Sequence, residues 1–338
     1  MLRGVAQAQN QFNRKNGLNG RLLEIQIAND AGEPEQAKQV AAELGKNQSV
    51  LGIIGHNSSE VTKAALTEYQ KVGIPVISPT STSTSLQSNV FFRTVPPDAV
   101  IGKKLAVYAF NKLNLKTTVI FFNPNDLFSQ NMTKEFKNNY EELGGKIIRE
   151  IDLTDNRLHV EKEINTSLDN QAQAAVLIPD RQYTDVALNI AKANNSYNYS
   201  SNSISNNREG GKLKLLSANT LYNGETLTKG GNAVEGLITV IPWFREAPQA
   251  KNFAQKAKKL WRVDVSWRTA TSYDATQAFI QALSANSDRI SILEKLENVN
   301  ISPNNTSGYP LKFNREGERE TEPVLVQIKG GKWVKIQE

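Results

Sequence analysis

The sequence predicts an α/β protein made of doubly wound, mostly parallel sheets. Three observations carry that expectation. Short apolar runs alternate with stretches of helical periodicity along most of the chain. Two successive strands each end in a loop dense with hydroxyls, Gly55-His56-Asn57-Ser58-Ser59 and Ser78-Pro79-Thr80-Ser81-Thr82-Ser83. A length of 338 residues is enough for two domains with sizeable cores.

Met1 to Phe12 has Leu2, Val5, Ala8 and Phe12 at helical spacing, and the Asn-Gly pairs at 16–17 and 19–20 are turns. Leu22 to Ile27 alternates like a strand. Glu33 to Gly45 is a helix that tolerates Pro34 in its first turn and buries Ala37, Val40, Ala41 and Leu44. Val50 to Ile54 is a short apolar run of the kind buried on both faces of a sheet. Glu60 to Val72 is a helix stopped by Gly73, and Ile74 to Ile77 is the next strand. Helix, strand, helix, strand, helix, strand is a doubly wound sheet lacking its first strand. In the flavodoxin-like order that strand lies inside the sheet, so residues encoding an apolar strand are expected upstream of Met1.

Val90 to Pro97 is extended, and a helix follows from Asp98 through Leu113. A second run of alternating elements then begins: strands at Thr118–Phe122, Lys146–Leu153, Ala174–Ile178 and Leu213–Leu216, with helices at Ser129–Leu143, around Val160–Leu168 and at Thr184–Asn194. Asn195 to Gly211 is rich in Asn and Ser, has little to bury and reads as a mobile loop. Leu237 to Trp243 is a strand. Pro248–Trp261, Arg268–Ser284 and Ile290–Leu296 are helices, Pro310–Phe313 is extended, and Pro323–Ile328 with Trp333–Ile336 forms a hairpin across Gly330-Gly331.

In open α/β sheets ligands sit beyond the carboxyl ends of the strands, and a helix start adds free N–H groups and a positive dipole end. Hydroxyls and open amides after the strands ending at Ile54 and Ile77 therefore suit a small anion such as a carboxylate. Ser and Thr also cap helices and fill turns in many proteins without binding anything.

Composition excludes several classes. There is no cysteine, so no disulfide, thiolate metal site or thiol nucleophile, and the two histidines, His56 and His159, leave little for a histidine metal site or triad. No metal and no cofactor is expected. No apolar run reaches membrane-spanning length, and no charged segment followed by an apolar one stands at the start. The net charge of +6 is scattered among acids, and the densest basic run, Lys256 to Arg262, reads as the wet face of a helix; nucleic acid is not an expected partner. No G-x-G-x-x-G follows a strand, and neither a P-loop nor a G-x-S-x-G is present, which argues against an enzyme.

The order and spacing of NGRLLEIQIANDAGEPEQA, VLGIIGHNSSE, GIPVISPTSTS, FFRTVPPD, ELGGKI, AVEGLITVIPW, SYDATQAFIQAL and YPLKFNREGE resemble type I periplasmic binding proteins of the branched-chain amino-acid (Leu/Ile/Val) class, over nearly the whole chain. The resemblance implies two Rossmann-like lobes joined by three hinge crossovers, with lobe one at 1–97 and 245–309 and lobe two at 98–244 and 310–338. It implies a small-molecule ligand, an amino acid or similar small carboxylate, held in a cleft that closes by hinge motion. It also implies a monomer in the periplasm or at the cell surface that hands its ligand to the membrane permease of an ABC importer.

Carried over position by position, Ser59 and Thr82 match the residues that hold the ligand carboxylate, with Ser58 and Ser81 beside them, and Thr80 matches a backbone contact to the ammonium. Phe128 is placed to cover an apolar side chain. Asp180, Arg181 and, near the hinge, Tyr273 are further candidates. Asn219 departs from the pattern, since close amino-acid binders carry an acid there to pair with the ammonium. Either Asp180 supplies that charge or the ligand is not an α-amino acid. A ligand-sensing ectodomain of a receptor or kinase with the same fold is the alternative function.

Overall fold

The computed structural model describes residues 1–197 and 211–337. Most of the Asn/Ser-rich segment, 198–210, lies outside the described residues. The chain divides into two compact units, Met1–Pro97 with Pro242–Pro323, and Asp98–Ile241 with Val324–Glu338. It therefore passes from one unit to the other three times. Residues 310–323, expected in lobe two, belong to the first unit, and so do residues 242–244.

The first unit opens with α1 (Leu2–Asn13), α2 (Pro34–Lys46), β1 (Ile53–Ile54), α3 (Ser59–Lys71), β2 (Val76–Ser78) and β3 (Phe91–Arg93). The three strands form a parallel sheet in the order β1-β2-β3, with Ile53 opposite Val76 and Val76 opposite Phe91. Successive side chains on a strand point to opposite faces. Val76 and Phe91 accordingly pack with Ala37 and Ala41 of α2 and with Val61, Ala65 and Tyr69 of α3, while Ile77 and Phe92 pack on the opposite face.

The expected strand at Leu22–Ile27 carries no ladder among the described residues. A strand exists only through its neighbour's hydrogen bonds, and β1 is paired along one edge alone, with β2. The segment lies open, with Leu22 62 % and Ile27 71 % exposed.

The second unit continues with α4 (Asp98–Val107), β4 (Thr117–Phe122), α5 (Leu127–Glu142), β5 (Lys146–Asp152), α6 (Val160–Asp169), β6 (Ala174–Ile178), α7 (Thr184–Ser196), β7 (Lys214–Ser217), α8 (Gly224–Gly230) and β8 (Ile238–Ile241). Strands β4 to β8 are parallel, and β6 is buried on both faces. Ala174, Val176 and Ile178 meet Ile101 and Leu105 of α4 and Met132, Phe136 and Tyr140 of α5. Ala175 and Leu177 meet Ile164 of α6 and Leu188 and Ile190 of α7. Helices α4 and α5 approach closely at Gly102, where an added Cβ would stand 2.9 Å from the backbone nitrogen of Phe136.

The chain then returns to the first unit as α9 (Lys251–Trp261), α10 (Trp267–Ala282), α11 (Arg289–Leu296), β9 (Asn300–Ile301) and β10 (Leu311–Lys312). Helix α10 is buried along almost its whole length. Asp274, within it, is fully buried and meets Arg319 Nη1 at 2.6 Å and the Ser307 hydroxyl at 2.7 Å. This ion pair, with the antiparallel pairing of β10 and β9, holds residues 310–323 in the first unit. The last two strands, β11 (Val324–Lys329) and β12 (Lys332–Lys335), add an antiparallel hairpin beside β8. Its turn is Gly330-Gly331, both at positive φ (59° and 69°), as a tight hairpin of this hand requires. The full strand order is β12-β11-β8-β7-β6-β4-β5. Among the described residues no helix is long and apolar enough to cross a membrane.

Candidate functional site

In the first unit, the loops after β1 and β2 are bonded into one layer at the carboxyl ends of two adjacent parallel strands. The His56 carbonyl accepts the hydroxyls of Thr80 at 3.0 Å and Ser78 at 3.3 Å. The Ser81 and Thr62 hydroxyls meet at 2.7 Å. The Ser83 amide donates to the Ser59 hydroxyl at 3.2 Å, which leaves the Ser59 proton to donate elsewhere.

The predicted residues thus separate into two groups. Thr80 and Ser81 turn their hydroxyls inward and brace the layer, although the Thr80 carbonyl accepts no hydrogen bond among the described residues. Ser58 caps α3, its hydroxyl accepting the Val61 amide at 3.3 Å. Thr82 differs: neither its amide nor its hydroxyl has a partner among the described residues, although the residue is 1 % exposed. The amides of Ser59 and Glu60, in the first turn of α3, are likewise open. Ser59, Thr82 and the start of α3 make a cluster of donors suited to a carboxylate.

Two residues that sequence reasoning missed support this layer. His56 is buried, with Nδ1 2.6 Å from Asp30 Oδ2 and Nε2 3.2 Å from the Tyr69 hydroxyl. The imidazole holds the Asp30 carboxyl below the usual carboxylate range, and burial drives the Tyr69 hydroxyl well above its ordinary value. Arg93, on β3, is 1 % exposed and spans carbonyls of the second loop: Nη1 to Ser83 at 2.9 Å and Nη2 to Leu86 at 2.9 Å. An arginine directly after the apolar run Val90–Phe92 was the available signal. Tyr273 lies elsewhere. Its hydroxyl is shared by Gln11 and Gln277, both at 2.7 Å, and its ring packs on Phe253, so it joins α10 to α1 and α9.

In the second unit, Asn123, Asp180 and Asn219 follow the carboxyl ends of the adjacent strands β4, β6 and β7. Asp180 is already engaged: Oδ1 accepts the amides of Gln182 and Tyr183 at 2.6 and 3.0 Å, and Oδ2 accepts the Asn123 side chain. That arrangement starts α7, and it is what a carboxylate after a strand most often does. Asn219 is 4 % exposed, and its side-chain amide has no partner among the described residues. Arg181 is exposed. Phe128, in the first turn of α5, packs partly buried against the cluster of Ile101 and Met132. Among the described residues no cluster of acidic or histidine side chains could hold a metal ion.

The comparisons agree with this architecture. The leucine-, isoleucine-, valine-, threonine- and alanine-binding protein of Pseudomonas aeruginosa is 29 % identical over 147 residues, 43 % of this chain and 39 % of that protein. The chain thus matches about two fifths of the length of that curated relative. An ABC transporter substrate-binding protein from Desulfitobacterium hafniense, solved in complex with Leu, superposes with a TM-score of 0.81 at 19 % identity, covering 99 % of this chain and 95 % of that one. A solute-binding protein from R. palustris, solved with benzoate, gives 0.80 at 17 % identity, covering 98 % and 90 %. At those identities the structural likeness is one of fold. The chain belongs to the periplasmic binding protein family, whose model matches residues 1–332.

Proposed function

We propose that this chain is the extracytoplasmic substrate-binding component of an ABC importer, capturing an amino acid or a similar small carboxylate and passing it to a membrane permease. The observation that carries the reading is the cluster of open donors at the carboxyl ends of β1 and β2: the Thr82 amide and hydroxyl, the Ser59 hydroxyl, and the first amides of α3. A carboxylate at this point would exchange hydration for several charge-assisted hydrogen bonds, each contributing about 1.5–3 kcal/mol. In this reading the ligand is enclosed by closure of the two units, and the protein works as a monomer in the periplasm or at the cell surface. The alternative, a sensing ectodomain, uses the same ligand chemistry and differs in what the protein docks with. Binding without turnover is part of this reading, and the solute-binding relatives support it.

The neutral Asn219 favours a second reading of the ligand itself. Asp180 is bonded to three donors within the second unit, so it is poorly placed to neutralise an ammonium. A carboxylate lacking an α-amino group, such as a keto acid or aromatic acid, needs no such partner. The benzoate-bound structural relative binds a ligand of this kind. Isothermal titration calorimetry with the branched-chain amino acids, their keto acids and benzoate separates the two. Micromolar affinity for either group supports capture of small carboxylates, and no measurable heat with any of them, across a wider panel of organic acids, overturns it.

A further inference from the structure

The buried guanidinium of Arg93 sits behind the second hydroxyl loop, on the side away from its open donors. Its Nη1 lies 2.9 Å from the Ser83 carbonyl and 3.5 Å from the Ser81 carbonyl, and Nη2 lies 2.9 Å from the Leu86 carbonyl. The side chain passes over the Phe91 ring, 5.1 Å from its centroid. The Glu318 carboxylate lies 3.6 Å from Nη2. A buried guanidinium that donates to three carbonyls of one loop holds those oxygens turned toward itself.

In a planar trans peptide the C=O and the N–H point in opposite directions. The peptide joining Ser81 to Thr82 is trans, since the only cis bond in the chain is Gly55–His56 among the described residues. With the Ser81 oxygen turned toward Arg93, the Thr82 N–H is turned away from it. That amide has no internal partner among the described residues.

We propose that Arg93 is a positioning residue that makes this site select anions: it never touches the ligand, but it orients the Thr82 amide and polarises the peptides between its own charge and a bound carboxylate. This rests on the reading of the site as a carboxylate pocket. A residue that only stabilised the fold would affect charged and uncharged ligands alike. A positioning residue of this kind affects the charged one more.

The test uses wild type, Arg93→Lys and Arg93→Met with L-leucine and L-leucinamide, which differ in the charge of the group held by the loop. Calorimetry of wild type is expected to show preference for leucine. Arg93→Met is expected to lose ~10- to ~100-fold in leucine affinity and to narrow the leucine/leucinamide ratio by about tenfold, with Arg93→Lys keeping part of the ratio. Hydrogen exchange of the ligand-free proteins is the second measurement. Segment 78–86 is expected to exchange faster in Arg93→Met, while the buried helix α10 of the same unit exchanges as in wild type, which also certifies folding. An unchanged ratio, or unchanged exchange in 78–86, overturns the proposal. Should wild type bind neither compound, the carboxylate reading fails for leucine, and the exchange data still decide whether Arg93 orders the loop.

Discussion

Thr82 offers the most direct test of the site because its hydroxyl does nothing for the folded chain that the structure records. The hydroxyl has no hydrogen bond among the described residues, and the side chain is 1 % exposed. Thr82→Val keeps the branched shape and removes only the polar atom, so no internal partner is orphaned. Stability should stay within about 0.5 kcal/mol of wild type, the ordinary range for a change that disturbs no packing. Ligand affinity should fall by the value of one hydrogen bond to a charged group, about 1.5–3 kcal/mol, or roughly 10- to 150-fold in Kd. Thr82→Ser should stay near wild type. Calorimetry with the best ligand of the panel measures the first effect, and urea denaturation without ligand measures the second. A loss of stability with unchanged affinity would refute the reasoning, since the hydroxyl would then serve the fold.

Three further outcomes follow from named contacts. Asn219→Asp should shift selectivity toward α-amino acids over their keto acids, by about tenfold for a charge pair worth ~1.4 kcal/mol, and competition calorimetry reads the ratio. Asp30→Asn should flatten the acid limb of the stability profile. The imidazole of His56 keeps the Asp30 carboxyl ionised below its ordinary value, so its contribution is complete above about pH 4 and is lost as pH falls through the lowered folded value; denaturant melts between pH 2.5 and 6 would reveal no difference in slope if the pair is idle. Gly102→Ala should destabilise the second unit by about 1–3 kcal/mol, because the new methyl meets backbone of α5 at 2.9 Å and backbone cannot swing aside as a flexible side chain can. Thermal melts of the variant check it, and an unchanged Tm would mean that the helices part without cost.

Much of this protein was legible in its amino-acid order. The alternation of strands and helices, the hydroxyl loops after two successive strands and the Gly-Gly hairpin all follow from periodicity and turn chemistry, which are properties of residues a few places apart. The tertiary structure decided what depends on distant partners. Leu22–Ile27 has the pattern of a strand, yet pattern makes a strand only where a neighbour completes the ladder. Of the hydroxyls in Ser78–Ser83, sequence could not say which would face inward, because Thr80 meets a carbonyl 24 residues away and Ser81 a hydroxyl 19 residues away. Asp180, a free carboxylate on paper, is engaged by the amides just after it and by Asn123, which follows a strand and lies 57 residues earlier. Arg93 looked like one cation among forty; only the packed unit revealed that it is buried against carbonyls of the loop that holds Thr82.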